Sequence, residues 1–201
     1  MNKHTKRGMI LLLVGTILVC AALGMHLLQK WQDDMAGQSA NSLLQQLELN
    51  KSFVDTDGDT KNTQQDKPED SKMPQKEFLG YRLCGSLRID SVSIHLPILN
   101  DWDYDMLKVA PCRYRGTISG ENLIIMGHNY QSHFTPLHNI SVGETVEFEN
   151  TYGTVFRYKV AQIEYLKRSE GEKLDSHYPL TLFTCTPGGL ERIVVRCDYA
   201  E

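Results

Sequence analysis

The feature that most constrains this chain is an uncharged apolar run near its N-terminus. Residues 9–28, MILLLVGTILVCAALGMHLL, contain no Asp, Glu, Lys or Arg. About 20 such residues in a helix span the hydrocarbon core of a bilayer. Lys3, Lys6 and Arg7 precede the run, and the flank after it soon becomes acidic. Because positive flanks stay in the cytosol, we expect residues 1–8 inside, a single-pass anchor in the membrane, and the rest of the chain outside the cell.

A cleaved signal peptide is the rival interpretation of the same run. The run is long for the apolar region of a signal peptide, and no clear A-x-A cleavage site follows it. A retained anchor is therefore favoured over a removed leader.

Charge and cysteine content narrow the class of protein. The net charge is −4 and no basic cluster follows the first residues, so nucleic acid is not an expected partner. Cys20 lies in the apolar run, which leaves Cys84, Cys112, Cys185 and Cys197 outside. Their spacing is not that of a small disulfide scaffold, and the domain is large enough to fold on a core. The sequence leaves the disulfide state open.

A polar connection, residues 29–76, separates the anchor from the folded part. Residues 35–49 can continue as a helix, whereas residues 50–76 are charged and nearly free of large apolar side chains. Such a segment cannot bury enough surface to offset its conformational entropy, so we expect a flexible tether. Its DTDGDT stretch does not fit an EF-hand loop, because Gly58 is fourth where the sixth position needs Gly, and Asp66 is twelfth in place of Glu. A solvated turn is expected there.

The remaining residues, 77–201, have the pattern of an all-β domain. Short apolar runs rich in β-branched and aromatic residues alternate with turn signals, and no long helical period is evident. Seven or eight strands in about 125 residues predict a closed or nearly closed antiparallel barrel. The predicted strands are YRLCGSLRI, VSIHLPIL, RGTIS, NLIIMGH, TVEFEN, TVFRYKVAQIEYL, LTLFTC and RIVVRCDY.

The last two predicted strands bring a thiol close to a guanidinium. If LTLFTC and RIVVRCDY form a hairpin, Cys185 ends one strand opposite Arg192, which starts the next. The same register places Arg196 about 13 Å and Cys197 about 16 Å from Cys185, at about 3.3 Å per residue. Arg192 is therefore the expected partner of the thiol, and a Cys185–Cys197 disulfide is excluded. The thiol is either a nucleophile beside a cation or a small buried residue at a barrel rim.

A cysteine nucleophile needs a base, and His128 is the leading candidate. It ends the apolar run NLIIMG and enters a polar loop, and His133 and His138 follow as weaker candidates. His95 is out of phase with its apolar neighbours, which predicts a solvent-facing position, and His177 lies in a polar loop. A histidine at a strand end is, taken alone, more often a surface residue than a catalytic one.

These segments together resemble the sortases. TLFTC is similar to the TLxTC motif of that family, ERIVV to its arginine segment and NLIIMGHN to its histidine segment, in the family order His, Cys, Arg. GSLRIDSVSIHLPI resembles the early strands of the family, although Asp90 and Ser91 stand where a proline and its neighbour often occur. The resemblance covers residues 79–199, and an anchor with a tether also suits the family.

The resemblance implies a closed eight-stranded β-barrel and a cysteine transpeptidase. Cys185 matches the nucleophile, His128 the general acid/base and Arg192 the arginine that stabilises the oxyanion. Thr184 either contacts the substrate or is an ordinary β-branched strand residue. The implied substrates are secreted proteins with a C-terminal sorting signal such as LPxTG, cut between Thr and Gly. The acyl group passes through a thioester to an amine of a peptidoglycan precursor or a pilin.

No cofactor is implied for the reaction. Calcium activates some members of the family, but no calcium ligands can be assigned in this sequence. Glu147 and Glu149 alternate along one predicted strand, with Glu144 in the turn before it, and this pattern is typical of a solvated face.

The segment between VAQIEYL and LTLFTC is too short for the long helical insertion of class B sortases. The compact stretch after His128 looks more like class A or D.

Two rival functions stay open: an exported cysteine peptidase, and an anchored non-catalytic β-barrel adaptor in envelope assembly. L,D-transpeptidases place a His two residues before the Cys, and papain-like enzymes place the Cys before the His. A non-catalytic adaptor would account for the anchor and the barrel, but it would give no reason for the placement of His128, Cys185 and Arg192.

Overall fold

The computed structural model describes residues 3–54 and 73–200. The expected tether falls mostly outside these residues, as does the whole DTDGDT stretch with Gly58 and Asp66. The described elements are α1 (Lys3–Val54), β1 (Lys76–Phe78), β2 (Tyr81–Ile89), β3 (Ile94–Leu99), β4 (Cys112–Arg115), β5 (Leu123–Met126), β6 (Thr145–Asn150), β7 (Val155–Lys167), β8 (Leu180–Cys185) and β9 (Glu191–Tyr199). Only short 3-10 turns supplement the strands between residues 73 and 200, so this part is all-β as predicted.

Eight of the strands form a closed barrel in the order β2-β3-β4-β5-β8-β9-β7-β6. The barrel closes because β6 pairs with β2, with Glu147 opposite Arg88. The short β1 forms a hairpin with the other half of β2 and stands outside this ring. The predicted eight-stranded barrel is therefore confirmed.

The prediction that all strands pair antiparallel is wrong. β3 pairs with β4 and β5 pairs with β8 in parallel, which makes the barrel mixed. A parallel pair needs a long crossover connection rather than a hairpin turn. Residues 100–111 provide that crossover between β3 and β4, and β6 and β7 lie between β5 and β8 along the chain.

The strand predicted at RGTIS is also misplaced, since β4 ends where that stretch begins. Gly116 adopts φ 76°, in the left-handed region, and a Cβ there would lie 1.9 Å from the carbonyl oxygen of Asn122. The Asn122 side chain accepts a hydrogen bond from the amide of Thr117 at 3.1 Å. These contacts close residues 116–122 into a turn, so the strand belongs to the preceding residues.

The β8 strand is covered on both faces. Leu180 and Leu182 point into the barrel core, whereas Phe183 joins a second, smaller apolar cluster outside the wall. The other members of the outer cluster come from β5, β7, β9 and the β7–β8 connection: Ile124, Leu166, Val194 and Leu174. Double coverage explains why LTLFTC is a continuous apolar run rather than an alternating one.

The long helix α1 has two different halves. Among the described residues, Leu11–Asn50 is the one helix long and apolar enough to cross a membrane, and its apolar window is not buried. Further along, α1 packs against β3 and β1. Ala40, Leu43 and Leu47 belong to the main core of the barrel. The helix therefore extends the hydrophobic core as well as carrying the apolar run.

Arg196 in β9 holds the β7–β8 connection against the barrel. Its side chain is 3% exposed and forms an ion pair with Glu164 at 2.8 Å. Its Nη1 donates to the carbonyl of Leu174 at 2.6 Å and to Thr181 Oγ1 at 3.1 Å. Its Nη2 donates to the carbonyl of Lys173. The guanidinium of Arg196 is thus occupied by structural contacts, unlike that of Arg192 near the start of β9.

We expect Arg196→Met to lower the free energy of unfolding by about 2–4 kcal/mol, because buried acceptors lose their charged donor. Urea unfolding of the purified protein measures this change. Arg157→Met is the matched control, since Arg157 is exposed and pairs with Glu147 at 2.8 Å on the surface. Its expected cost is below about 1 kcal/mol. Equal costs for the two variants would contradict the role assigned to Arg196.

Candidate active site

The hairpin of β8 and β9 sets the first pair of the site. Cys185 lies opposite Arg192, and the same register places Leu180 opposite Cys197. This is the register predicted from the turn. All five cysteines are free, so no bridge joins Cys185 to Cys197.

The parallel pair of β5 and β8 brings in the histidine. Each β5 residue lies opposite the β8 residue 57 positions later, from Leu123 opposite Leu180 to Met126 opposite Phe183. The amide of Gly127 continues the ladder by donating to the carbonyl of Phe183 at 3.1 Å. One step further at the same offset, His128 falls level with Cys185. The two strands therefore end side by side at one edge of the barrel. The imidazole of His128 follows the end of β5, and the thiol of Cys185 ends β8 at the same level.

Cys185 and Arg192 share the outer face of the barrel wall. Side chains alternate along a strand, so Cys185 lies on the same face as Phe183 in the outer cluster. The guanidinium carbon of Arg192 lies 5.6 Å from the centre of the Phe183 ring, a cation–π contact. The ring holds the permanent charge on the face that carries the half-buried thiol.

His128 is held by its neighbours. Its ring stacks on Tyr130 with centroids 4.0 Å apart and an interplanar angle of 3°. A Cβ on the preceding Gly127 would lie 2.3 Å from the Phe134 ring, so only glycine fits between the strand and this loop. Partial burial lowers the pKa of His128, and the charge of Lys108 lowers that pKa further. The lowered pKa favours the neutral imidazole.

Replacing Lys108 by Gln should raise the pKa of His128, because the substitution removes a positive charge that disfavours the imidazolium. NMR titration of the His128 ring measures this directly. Lys173→Gln is the matched control, because Lys108 and Lys173 both pair with a carboxylate three residues earlier on an exposed turn. The pKa of His128 should not change in this control. A pKa of His128 that stays constant or falls in Lys108→Gln would contradict the electrostatic account.

The weaker histidine candidates lie elsewhere. His133 is buried next to Tyr130, with ring centroids 5.4 Å apart. Burial lowers the pKa of His133 to about 4, although the backbones of Ala36 and Val109 act to raise that pKa. His138 lies in the turn Thr135–Asn139. His95, expected on the solvent face, is exposed there with its Nε2 3.6 Å from Glu48.

Thr184 precedes Cys185 but points the other way. It lies opposite Ile193 of the core and is 1% exposed. Its side chain therefore does not reach the outer face that carries the thiol. This position favours the interpretation of Thr184 as an ordinary β-branched strand residue.

The other thiols of the barrel are buried. Burial raises the pKa of Cys84 to about 12 and raises the pKa values of Cys112 and Cys197 as well. These three thiols stay protonated at neutral pH, and a protonated buried thiol is inert. Among the barrel cysteines, Cys185 is thus the accessible one.

The sequence analysis missed a row of aromatic rings on the outer face. Trp102 and Tyr114 have ring centroids 5.1 Å apart, and Tyr114 and Phe183 form a T-shaped pair with centroids 5.4 Å apart. The row leads from the exposed β3–β4 connection to the ring beneath Arg192. The signal in the sequence was the WDY stretch after a buried strand, but its place depends on parallel pairings that the sequence does not reveal.

The acidic residues predicted on a solvated face take part in surface contacts. Glu147 pairs with Arg157, and Glu144 accepts a hydrogen bond from the Ser91 hydroxyl. Within the described ranges, no group of three or more His, Cys, Asp or Glu residues could hold a metal ion.

The fold and the site define a cysteine enzyme built on a closed mixed barrel. The sequence profile described as "Sortase domain" matches residues 87–200. The chain therefore belongs to the sortase family of cysteine transpeptidases. No curated protein matches the sequence.

Solved structures agree with this family. Sortase C1 of Streptococcus agalactiae is 23% identical, with a TM-score of 0.51 over 58% of this chain and 68% of that one. Sortase C-1 of Actinomyces oris is 25% identical, with a TM-score of 0.51 over 58% of this chain and 73% of that one. Sortase A of Listeria monocytogenes is 18% identical, with a TM-score of 0.53 over 59% of this chain and 88% of that one. The likeness establishes the fold.

Proposed function

We propose that this chain is a membrane-anchored sortase that cleaves an LPxTG-like sorting signal through a thioester on Cys185. The acyl group then passes to an amine of a peptidoglycan precursor or a pilin. The observation that carries the proposal is the common end of β5 and β8, where His128 falls level with Cys185. Arg192 stands opposite the same thiol.

Each side chain has a role that suits its surroundings. Cys185 Sγ attacks the Thr carbonyl while neutral His128 takes the thiol proton, which its lowered pKa allows. The guanidinium of Arg192 stabilises the negative charge that develops on the carbonyl oxygen. His128 then gives its proton to the departing amine and leaves a thioester. An incoming amine loses a proton to His128 as it attacks the thioester, and the departing sulfur of Cys185 takes that proton back, which restores the thiol and the neutral imidazole.

The outer face beside Cys185 is where the sorting signal binds. The aromatic row of Trp102, Tyr114 and Phe183 offers an apolar surface that ends at Arg192 and the thiol. Apolar side chains of the signal gain free energy by covering these rings, which places the scissile bond at the strand ends. Thr184 remains at most an indirect contributor, because it faces the core.

The anchor sets the location of the enzyme. The apolar half of α1 spans the cell membrane once, with residues 1–8 in the cytosol and the barrel outside. The three basic residues before the run support this orientation. A removed signal peptide is the competing outcome, and the mass of the mature protein distinguishes the two.

Within the family, we place this chain with class A or D rather than class B. The connection between β7 and β8 holds only the turn Gly171–Leu174, so it lacks a long helical insertion. Several of the similar structures are sortase C enzymes of streptococci, and one of these is named as pilus-related, which keeps a pilin amine among the acceptors.

Full-length protein in detergent, incubated with LPxTG-like peptides, should gain the mass of the acyl fragment on Cys185. Cys185→Ala should gain no mass. When an amine is added to the parent protein and the peptide, that amine should appear in the product.

Arg192→Ala should lower kcat by about 100-fold or more, because it removes the charge that stabilises the oxyanion. Arg168→Ala is the matched control, since Arg168 is exposed, lies beside the turn between β8 and β9 and has no role in the scheme.

Each alternative predicts a different result. Equal cleavage by the parent and Cys185→Ala would remove the nucleophile assignment. Hydrolysis that ignores added amines would indicate a peptidase. A peptide library left untouched by the parent would favour the non-catalytic adaptor.

A further inference from the structure

The far half of α1 reaches the loop that follows His128. Asp33 Oδ2 accepts a hydrogen bond from the amide of Gln131 at 3.1 Å, and Oδ1 accepts one from the amide of Ser132 at 2.9 Å. The Ser132 hydroxyl donates to Asp33 Oδ1 at 2.5 Å and lies 3.0 Å from the Asp33 carbonyl. One carboxylate thus holds two successive amides and a hydroxyl. Bonds to a charged acceptor are among the stronger hydrogen bonds in proteins.

Close packing supports this contact. A Cβ built on Gly37 would lie 3.0 Å from the Cβ of Ser132, so the helix backbone presses directly on the loop. Ala36 and Ala40 are buried beside it, and the backbone of Ala36 borders His133. Small residues at this point of α1 let the helix approach the loop without a gap.

The loop that Asp33 binds is in direct contact with the His128 ring. Tyr130, whose ring stacks on His128, is the residue immediately before Gln131. The carbonyl of Tyr130 accepts hydrogen bonds from the amides of His133 and Thr135, at 3.0 Å each. A shift of the loop away from α1 would therefore move the surface on which His128 rests.

We propose that Asp33 is a positioning residue for His128, and that α1 is a working part of the catalytic unit as well as its anchor. This inference rests on the proposed function of the site. The apolar run ends at Leu28, five residues before Asp33. At 1.5 Å per helical residue that separation is about 7.5 Å, so the contact holds the catalytic loop at the height of the lipid headgroups. Membrane insertion and the geometry of the site are thereby coupled through one rigid helix.

Two matched pairs of variants, made in the full-length protein in detergent, test the proposal. Asp33→Asn replaces one acceptor oxygen of the carboxylate by a donor, and its exposed neighbour Asp34→Asn makes the same charge change without touching the loop. Gly37→Leu wedges a side chain against Ser132, whereas Gly24→Leu meets nothing within 4 Å. Leu favours the helix over Gly at both positions, so helix stability alone predicts no loss.

Asp33→Asn and Gly37→Leu should each lower kcat by about tenfold or more and change KM by less than about twofold, since they disturb the acid/base and not the peptide surface. Asp34→Asn and Gly24→Leu should match the parent. The NMR titration of the His128 ring should shift in the first two variants only. This readout needs no substrate, so it tests the positioning role even if no sorting signal is cleaved.

Two results would overturn the proposal. In the first, all four variants keep the parent's His128 titration and kcat, which would make α1 an anchor only. In the second, Asp33→Asn loses activity in proportion to a fall in melting temperature while the His128 titration stays unchanged, which would make the contact purely structural. Failure of the parent to form any thioester would instead count against the proposed function.

Discussion

The parallel pairing of β5 with β8 is the constraint on which the rest of the site depends. Its offset of 57 residues brings together two strand ends that are far apart in the chain. Because the carboxyl ends of parallel strands meet at one edge, the residues just beyond them share a surface. The β8–β9 hairpin then adds Arg192 to the same edge. Three chemically distinct groups converge because two different pairings act on one strand.

The outer cluster gives that edge its rigidity. Phe183 contacts both the Tyr114 ring and the Arg192 guanidinium, so the cation rests on a ring that is itself packed in place. Arg196, four residues later in β9, is consumed by buried acceptors. The two arginines of β9 therefore have different roles, and their degree of burial distinguishes them, since Arg196 is buried and Arg192 is only half-buried. The arginine near the strand start stays available to a developing negative charge, while the interior one fastens a loop.

The sequence predicted the parts of the site that depend on local rules. A short turn fixed the register of Cys185 and Arg192, and an apolar run ending in His128 marked a strand end. The parallel pairings could not be read in the same way, because no turn links β5 to β8. RGTIS was misassigned since the positive φ of Gly116 bends the chain just after β4. The contact of Asp33 with Ser132 joins residues 99 positions apart, and no local pattern predicts it.

The central claim is that the thiol of Cys185 and the ring of His128 are neighbours at one rim of the barrel. The most direct measurement is the NMR spectrum of the histidine rings before and after Cys185 is capped with iodoacetamide, a small neutral reagent. The account predicts that the signals and titration of His128 change on capping, while the ring signals of His95, which lies beside Glu48 of α1, stay in place. Unchanged His128 signals after complete capping would contradict it.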